Sequence, residues 1–412
     1  MKATMVIPSY WSRESYEEKD IDDAIYDHPT PLDKDGTLLR TLQSIQVLKS
    51  KDFQLVIIAI PTSDNIGQKV SEKIKHIVHS VSPDMETLVF GPAQLRNIHE
   101  LLASNGRSEF IGLLSLKGYS NIRNLCLFIP HLLDSDIAVL IDDDEVFEDA
   151  NFISKAYDYI GAKHNGKNVN AVAGYYLQKD GGYRIRKATK PWMKHWGQYD
   201  RMNKAFDMII GNEPRLKETP FVFGGNMVIH RNLFSKVPFD PAITRGEDID
   251  YLINAKMFGF IFFLDNWLSI KHLPPPKAHP AWLQLRQDIY RFIYERAKIE
   301  NQRAIEGMTK VFSEDFDPYP GSFLKGNLGK KIETTCQLLS REYLSKGDLQ
   351  GSQEALRNIA LAQSQIKEMK DPFDSLCRLQ KRWQKLMEYT GNNPTFTDIL
   401  NQKPADFPQQ LC

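Results

Sequence analysis

The chain reads as an α/β protein in which a mainly parallel sheet with flanking helices is followed by a C-terminal α-helical region. Three observations predict this. Short apolar runs of strand length alternate with stretches of helical spacing through the first part of the chain. One run, Ala138 to Ile141, ends abruptly in Asp142, Asp143 and Asp144, as a buried strand does where it delivers polar groups to the edge of a sheet. Pro274, Pro275 and Pro276 then interrupt the pattern, since three prolines continue neither a helix nor an interior strand. The expected division is residues 1–275 for the α/β domain and 276–412 for the helical domain or arm.

Each element has its own signal. Strands are expected at Ala3 to Pro8, Phe53 to Ile60 and Glu86 to Phe90, and helices at Thr37 to Leu48, Gly67 to His79, Ala93 to Ala103 and Ser120 to Leu133. After the aspartates come a helix at Asn151 to Gly161 and a strand at Asn170 to Leu177. Residues 178–220 are irregular in pattern. They interleave aromatics and cations, among them Arg184, Arg186, Lys187, Lys190, Trp192, Lys194, His195, Trp196, Tyr199 and Arg201, a mixture that suits a lid, a sugar-stacking surface or simple packing onto the body. Phe221 to His230 reads as a strand carrying Gly224 and Gly225, and Phe260 to Leu264 and Trp267 to Ile270 as two short strands. Beyond the prolines, Trp282 to Arg303, Leu328 to Ser345, Leu349 to Met369 and Pro372 to Tyr389 have amphipathic helical spacing. These helices suit a bundle packed on the first domain and offer a surface for a homo-oligomer contact.

Composition excludes several classes. The chain has 412 residues, 42% hydrophobic and 25% charged, with 52 basic and 52 acidic side chains, so no global field favours nucleic acid or an anionic membrane. Cys126, Cys336, Cys377 and Cys412 are scattered without metal-type spacing, which points to reduced thiols and a cytoplasmic setting. No apolar run approaches the roughly 18 residues of a transmembrane segment.

The chemistry concentrates around the aspartates. In an extended strand Asp142 and Asp144 point one way and Asp143 the other. Two converging carboxylates suit a hard divalent cation such as Mn²⁺ or Mg²⁺, although an acidic turn that caps a helix would use the same residues. Thr244 to Asp250 opens a second acidic helix start, where Asp248 either complements the exposed amides or serves as a general base. His272, at the end of a strand, is placed to be a third metal ligand.

These motifs resemble the GT-A fold glycosyltransferases, in particular their large family 2-like group, over residues 3–275. Val6-Ile-Pro-Ser-Tyr10 looks like the first strand and loop lining the nucleotide. Lys117 to Asn124 is similar to the segment before the metal strand whose basic residue meets the diphosphate. Asp142-Asp-Asp144 matches the Asp-x-Asp metal motif, and Glu247-Asp248 the acidic pair near the acceptor. The resemblance implies a hexosyltransferase that moves a sugar from a nucleotide-diphosphate donor to the hydroxyl of a carbohydrate or small acceptor, with a divalent metal. It assigns Asp248 and Glu247 to catalysis, and Pro8, Ser9, Tyr10, Lys117, Gly118, Arg123, Asp142 and Asp143 to the donor. Asp142 and Asp144 go to the metal; the reading of the residues adds His272 as its third ligand and places Gly224, Gly225, Asn226, Trp192 and Trp196 on the acceptor side.

Inversion with Asp248 as base is the expected stereochemistry. The alternatives are a retaining enzyme acting on a small acid such as glycerate and, further off, a sugar nucleotidyltransferase. The last would need a glycine-rich loop after the first strand, and residues 8–20 contain no glycine. Two departures stand out. The second strand is followed only by a late Asp64 where the group has an acidic pair, and the loop from Trp11 to Lys34 is long and acidic (Glu14, Glu17, Glu18, Asp20, Asp22, Asp23, Asp27). Such a run reads more readily as a solvated loop than as a ligand shell, and ordering over a bound nucleotide would make it a lid.

Overall fold

At the centre of the molecule lies the strand β1 (Ala3–Ser12), paired in parallel with β3 (Gln54–Pro61) on one side and β5 (Ile137–Ile141) on the other. The structure is a computed structural model that describes all residues except 16–25, 82–85, 186–189, 277–278, 392 and 402–412. Glu17, Glu18, Asp20, Asp22, Asp23, Arg186, Lys187 and Cys412 lie outside the described residues. Between these strands run β2 (Thr30–Pro31), α1 (Leu38–Ser44), α2 (Gly67–Val81), β4 (Thr87–Phe90), α3 (Pro92–Ser104) and α4 (Tyr119–Leu132).

The sheet is buried on both sides, which explains why its strands are continuous apolar runs. Val6, Val56, Ile58 and Leu140 face one apolar cluster, while Met5, Ile7, Leu55, Ile57 and Val139 face another across the sheet. The period of two along each strand is what separates these sets.

Past β5 the chain forms β6 (Glu145–Val146), α5 (Phe152–Tyr157), the small hairpin β7 (Lys163–His164) and β8 (Lys167–Asn168), and then β9 (Ala171–Leu177). It continues through α6 (Pro191–Trp196), α7 (Gln198–Ile209), β10 (Leu216–Glu218), β11 (Asn226–His230), α8 (Arg231–Phe234), α9 (Glu247–Met257) and β12 (Phe262–His272). The main sheet has the order β10-β12-β9-β11-β5-β1-β3-β4, with β2 on β1 and β6 on β12. Pairs on the β4 side of β5 are parallel, whereas β11 runs antiparallel between β5 and β9.

Several expectations change. Among the described residues of 178–220 lie two helices and a strand, because α6 and α7 bury Trp196, Ala205 and Phe206 while exposing most of their polar residues. The strand expected over Phe221 to His230 begins only at Asn226, the preceding glycine pair forming a turn. The two short strands before His272 are one strand, irregular between Leu264 and Ser269. That irregularity sits against Gly174 of β9, where an added Cβ would overlap the carbonyl oxygen of Leu268 and the side chain of Asn226. The helix expected to reach Gly161 stops at Tyr157.

After Pro276 come α10 (Ala281–Glu300), α11 (Leu328–Ser345), α12 (Leu349–Glu368), α13 (Pro372–Gly391) and α14 (Pro394–Asn401). These helices share one buried cluster with a face of the sheet: Leu285, Ile289 and Phe292 of α10 lie in it with Ile249 and Leu252 of α9. Trp383 of α13 is fully buried and donates its indole N–H to the carbonyl of Phe234 at 2.9 Å. An ion pair also crosses the junction. Lys298 of α10, with no exposed surface, lies 2.5 Å from Asp250 Oδ1 and 2.8 Å from Asn254 Oδ1 of α9.

Removing the cation strands a buried carboxylate. Lys298→Met is therefore expected to lower unfolding free energy by about 3–5 kcal/mol in urea titration; a loss too small to measure would show that Asp250 is solvated or neutral.

Candidate active site

The chain leaves β5 at Ile141 and turns at once, so Asp142 to Asp144 lie in a tight turn and not, as strand alternation suggests, on two faces of a strand. The turn is closed locally: Glu145 N–H donates to the carbonyl of Asp142 at 3.3 Å, and Asp142 N–H to Glu145 Oε2 at 3.1 Å. Its neighbours fix the rest. Ser9 Oγ of β1 donates to Asp143 Oδ2 at 2.7 Å, and Thr41 Oγ1 of α1 to the Asp143 carbonyl at 2.7 Å.

Arg123 of α4 grips Asp142 with both terminal nitrogens, Nη1–Oδ1 at 2.8 Å and Nη2–Oδ2 at 3.0 Å, and places Nε 3.4 Å from Glu247 Oε1. Its guanidinium is buried, so one cation spans two acids on opposite sides of the site. On the other side, His28 Nε2 and His272 Nε2 each lie 3.4 Å from Asp144 Oδ2.

Burial crowds these acids and sets their protonation. Asp143 is pushed up to about 7 by burial and by the neighbouring Asp144. Burial also raises Glu145 well above the usual carboxylate range, reinforced by Asp142 and Asp144. Burial would raise Asp144 as well, but the two histidines hold it well below that range. Glu247 is pushed up to about 7 by burial against the opposing pull of Arg123. Asp248 is raised by burial and lowered by Arg291.

Carboxylate oxygens of Asp142, Asp144 and Glu145 can lie within 4.8 Å of one another. An oxygen-rich cluster with two imidazoles at its side suits a hard divalent cation, which also relieves the repulsion that lifts Asp143 and Glu145. The residues therefore fit Mn²⁺ or Mg²⁺.

Two adjoining cavities meet here. The first, about 280 Å³, is bounded by the acidic turn, Arg123, Glu247 and a triad of tyrosines. Tyr10, Tyr26 and Tyr119 pack with ring centroids 4.6, 5.5 and 5.1 Å apart. The second, about 360 Å³, is walled by aromatic and aliphatic side chains of α6, α7 and α10. Tyr176, Arg245, Asp248 and His272 line both. Asp248 is held in place by the N–H groups of Gly224 (3.1 Å to Oδ2) and Ile249 (2.9 Å to Oδ1).

The structure brings together Tyr10, Arg123, Asp142, Asp143, Asp144, Gly224, Glu247, Asp248 and His272 around the first cavity, and Trp192 and Trp196 around the second. Gly225 lies behind the acidic turn, where a Cβ would overlap Glu145 Oε1 and come within 2.7 Å of the Asp142 carboxylate. Other assigned residues lie elsewhere. Pro8 is interior to β1, Ser9 supports Asp143, and Gly118 is the left-handed residue before α4 whose N–H donates to the Tyr26 hydroxyl at 3.1 Å. Asn226 is fully buried and donates to the carbonyls of Tyr175 and Leu268 at 3.3 and 3.2 Å, so it holds strands together behind the cavity wall. Lys117 is half-exposed, 3.8 Å from Asp64, and lines neither cavity.

Sequence reasoning missed Tyr26, His28, Glu145, Tyr176 and Arg245, and it read Asp27 as part of a solvated loop. The described end of that loop is instead folded into the site: Asp27 Oδ1 lies 2.7 Å from His279 Nδ1, and both residues are buried. A histidine closing the acidic run, Asp27-His28, was the available signal.

No family model matches the chain, and no curated protein matches it. Among solved structures, the chain is similar to a mannosyltransferase, PcManGT from Pyrobaculum calidifontis in complex with GDP-Man and Mn²⁺, at 11% identity, covering 98% of this chain and 88% of that one with a TM-score of 0.42. It is similar to a mycobacterial protein at 14% identity, covering 71% and 72% of the two chains with a TM-score of 0.37. A third similarity is to GalNAc-T7 with UDP, GalNAc and Mn²⁺, at 12% identity over 73% of this chain and 52% of that one, with a TM-score of 0.35. Likenesses of this size leave the function to be read from the site itself.

Raised acids give a signed pH dependence. Asp143 and Glu247 titrate near 7 when folded and at ordinary carboxylate values when unfolded, so the folded state binds more protons in between. Their favourable contribution is complete below the unfolded value and is lost as pH climbs through 7. Protein treated with chelator is expected to be less stable to urea at pH 7 than at pH 5, and Asp143→Asn should remove part of that slope. A slope unchanged in the variant would place the Asp143 titration elsewhere.

Proposed function

We propose that the protein is a metal-dependent glycosyltransferase that moves a sugar from a nucleotide-diphosphate donor to an acceptor hydroxyl, with Asp248 as the base in an inverting reaction. The observation that carries this reading is the position of Asp248, a half-buried carboxylate of raised pKa on the boundary between a cation-suited acidic cavity and a second cavity large enough for an acceptor.

Asp142, Asp144 and Glu145, with His272 and His28 beside them, would hold the divalent cation. When bound, it supplies positive charge against the diphosphate leaving group. The remaining work falls to side chains. Arg123 is committed to Asp142 and Glu247, so it fixes the two acidic elements relative to each other. The tyrosine triad offers ring faces and edges to the nucleoside.

Asp248 accepts the proton of the acceptor hydroxyl as that oxygen forms its bond to the anomeric carbon. The carbon–oxygen bond to the diphosphate breaks, its electron pair stays on the leaving oxygen, and the proton on Asp248 passes to water. Attack from the side opposite the diphosphate inverts the configuration. The N–H groups of Gly224 and Ile249 point each Asp248 oxygen while leaving lone pairs free for the incoming proton. Three buried free thiols, Cys126, Cys336 and Cys377, suit a reducing, cytoplasmic setting.

Two variants test the assignment. A screen of nucleotide sugars with Mn²⁺ should find one whose hydrolysis or transfer is lost in Asp144→Ala, with nucleoside diphosphates stabilising wild type against heat only when metal is present. Wild-type-like turnover in that variant would remove Asp144 from the reaction. Asp248→Asn is expected to lower kcat by about 10²–10⁴-fold while donor affinity stays within a few-fold. Unchanged turnover, or a product with the donor's anomeric configuration by NMR, would exclude Asp248 as an inverting base.

A further inference from the structure

Acids outnumber arginines in the wall of the first cavity, six to two. A diphosphate placed there needs positive charge from the protein as well as from a divalent ion. The sequence pattern offered Arg123 and Lys117 for that contact, and the structure turns both away from it. Arg123 is held by Asp142 and Glu247 with its side chain only 5% exposed, and Lys117 lines neither cavity. His28 and His272 are both turned to Asp144, at 3.4 Å.

Arg245 differs from them. It lines both cavities, and 20% of its side chain is exposed. Its Nη1 is buried with no hydrogen-bond partner among the described residues, so the surface it shows the cavities belongs to the rest of the side chain. Nη2 stands 3.8 Å from Asp27 Oδ2, close enough for attraction but beyond a hydrogen bond, and that carboxylate already meets His279 Nδ1 through Oδ1 at 2.7 Å. Asp27 borders the first cavity and not the second, which puts the Nη2 end of the guanidinium on the acidic side of the boundary.

Resting on the transferase reading above, we infer that Arg245 is the side chain that meets the donor's diphosphate, giving N–H bonds to phosphate oxygens in place of its loose contact with Asp27. A planar guanidinium can offer a phosphate two parallel N–H bonds, and such pairs are short and charge-assisted. The charge acts where it is needed, because negative charge grows on the leaving diphosphate as the anomeric bond breaks. Its place in the chain adds a coupling. Only Gly246 separates Arg245 from Glu247 and Asp248, and the left-handed backbone of that glycine is packed against Arg291. A phosphate held by Arg245 thereby steadies the turn from which the base projects.

Calorimetry on the full chain needs no known donor sugar. Wild type, Arg245→Gln and Arg245→Lys are titrated with Mn²⁺ alone, and then with ADP, CDP, GDP, UDP and dTDP in the presence of Mn²⁺. For whichever nucleotide wild type binds, Arg245→Gln is expected to weaken affinity at least about tenfold. Arg245→Lys, which keeps the charge without the fork, should lose less. Mn²⁺ alone should bind Arg245→Gln no more weakly than wild type, since removing a neighbouring cation does not weaken the hold on another.

A loss of nucleotide affinity below about threefold in Arg245→Gln would overturn the inference. Parallel loss of Mn²⁺ and nucleotide would also overturn it, by showing that Arg245 holds the fold of the site and not the ligand. Failure of wild type to bind any of these nucleotides with Mn²⁺ is a separate result, which would remove the transferase reading and this inference with it.

Discussion

A single buried guanidinium organises the site. Arg123 meets Asp142 with two nitrogens and Glu247 with the third, and so ties the end of a central strand to the start of α9. Without it, several carboxylates would face one another in a volume that excludes water, and mutual repulsion would expel the turn into solvent. The close packing of this cluster leaves no room for side chains on the strand-turn behind it. A Cβ at Gly224 would stand 2.8 Å from Arg123 Nη2, and one at Gly225 would meet the acidic turn itself. The glycine pair is therefore a steric consequence of the arginine and the acids.

The helices after Pro276 help build the site. Leu285 and Arg291 of α10 line the aromatic cavity, and the guanidinium of Arg291 packs on Gly246, the left-handed residue directly before Glu247 and Asp248. Lys298, about two turns further along α10, is bonded to Asp250 and Asn254 of the same helix α9. Because these contacts are buried and ionic, they fix the direction of α9 more tightly than apolar packing alone would. His279, at the approach to α10, pairs with Asp27 beside the tyrosine triad.

Legibility followed the physics of each segment. Strands β1, β3 and β5 were readable because burial on both faces forces an unbroken apolar run, and the helices after the prolines because each buries one stripe. Asp142, Asp144, Glu247, Asp248 and His272, which line one cavity, stood out as candidates because polar groups at the ends of apolar runs are conspicuous. α6 and α7 were not, since their aromatics serve both the core and the cavity wall and so blur the helical period. The direction of β11 was also hidden, because an apolar strand looks the same in either orientation. His28 and Tyr26 were missed because their value depends on a loop folding back across the sheet edge, which no local pattern records.

What the sequence determined by itself is the inventory: an alternating α/β body, a helical extension, and acids placed at the ends of strands and the start of a helix. Local propensity and burial period carry that much, because both act over a few residues. Only the tertiary structure decided which oxygens converge, that Asp142 is shared with Arg123, that two histidines from opposite ends of the α/β region flank Asp144, and that Asp248 looks into two cavities at once. Those facts depend on contacts between separate elements, as between Arg123 and Glu247, 124 positions apart, whose distances are set by packing and not by any order along the chain.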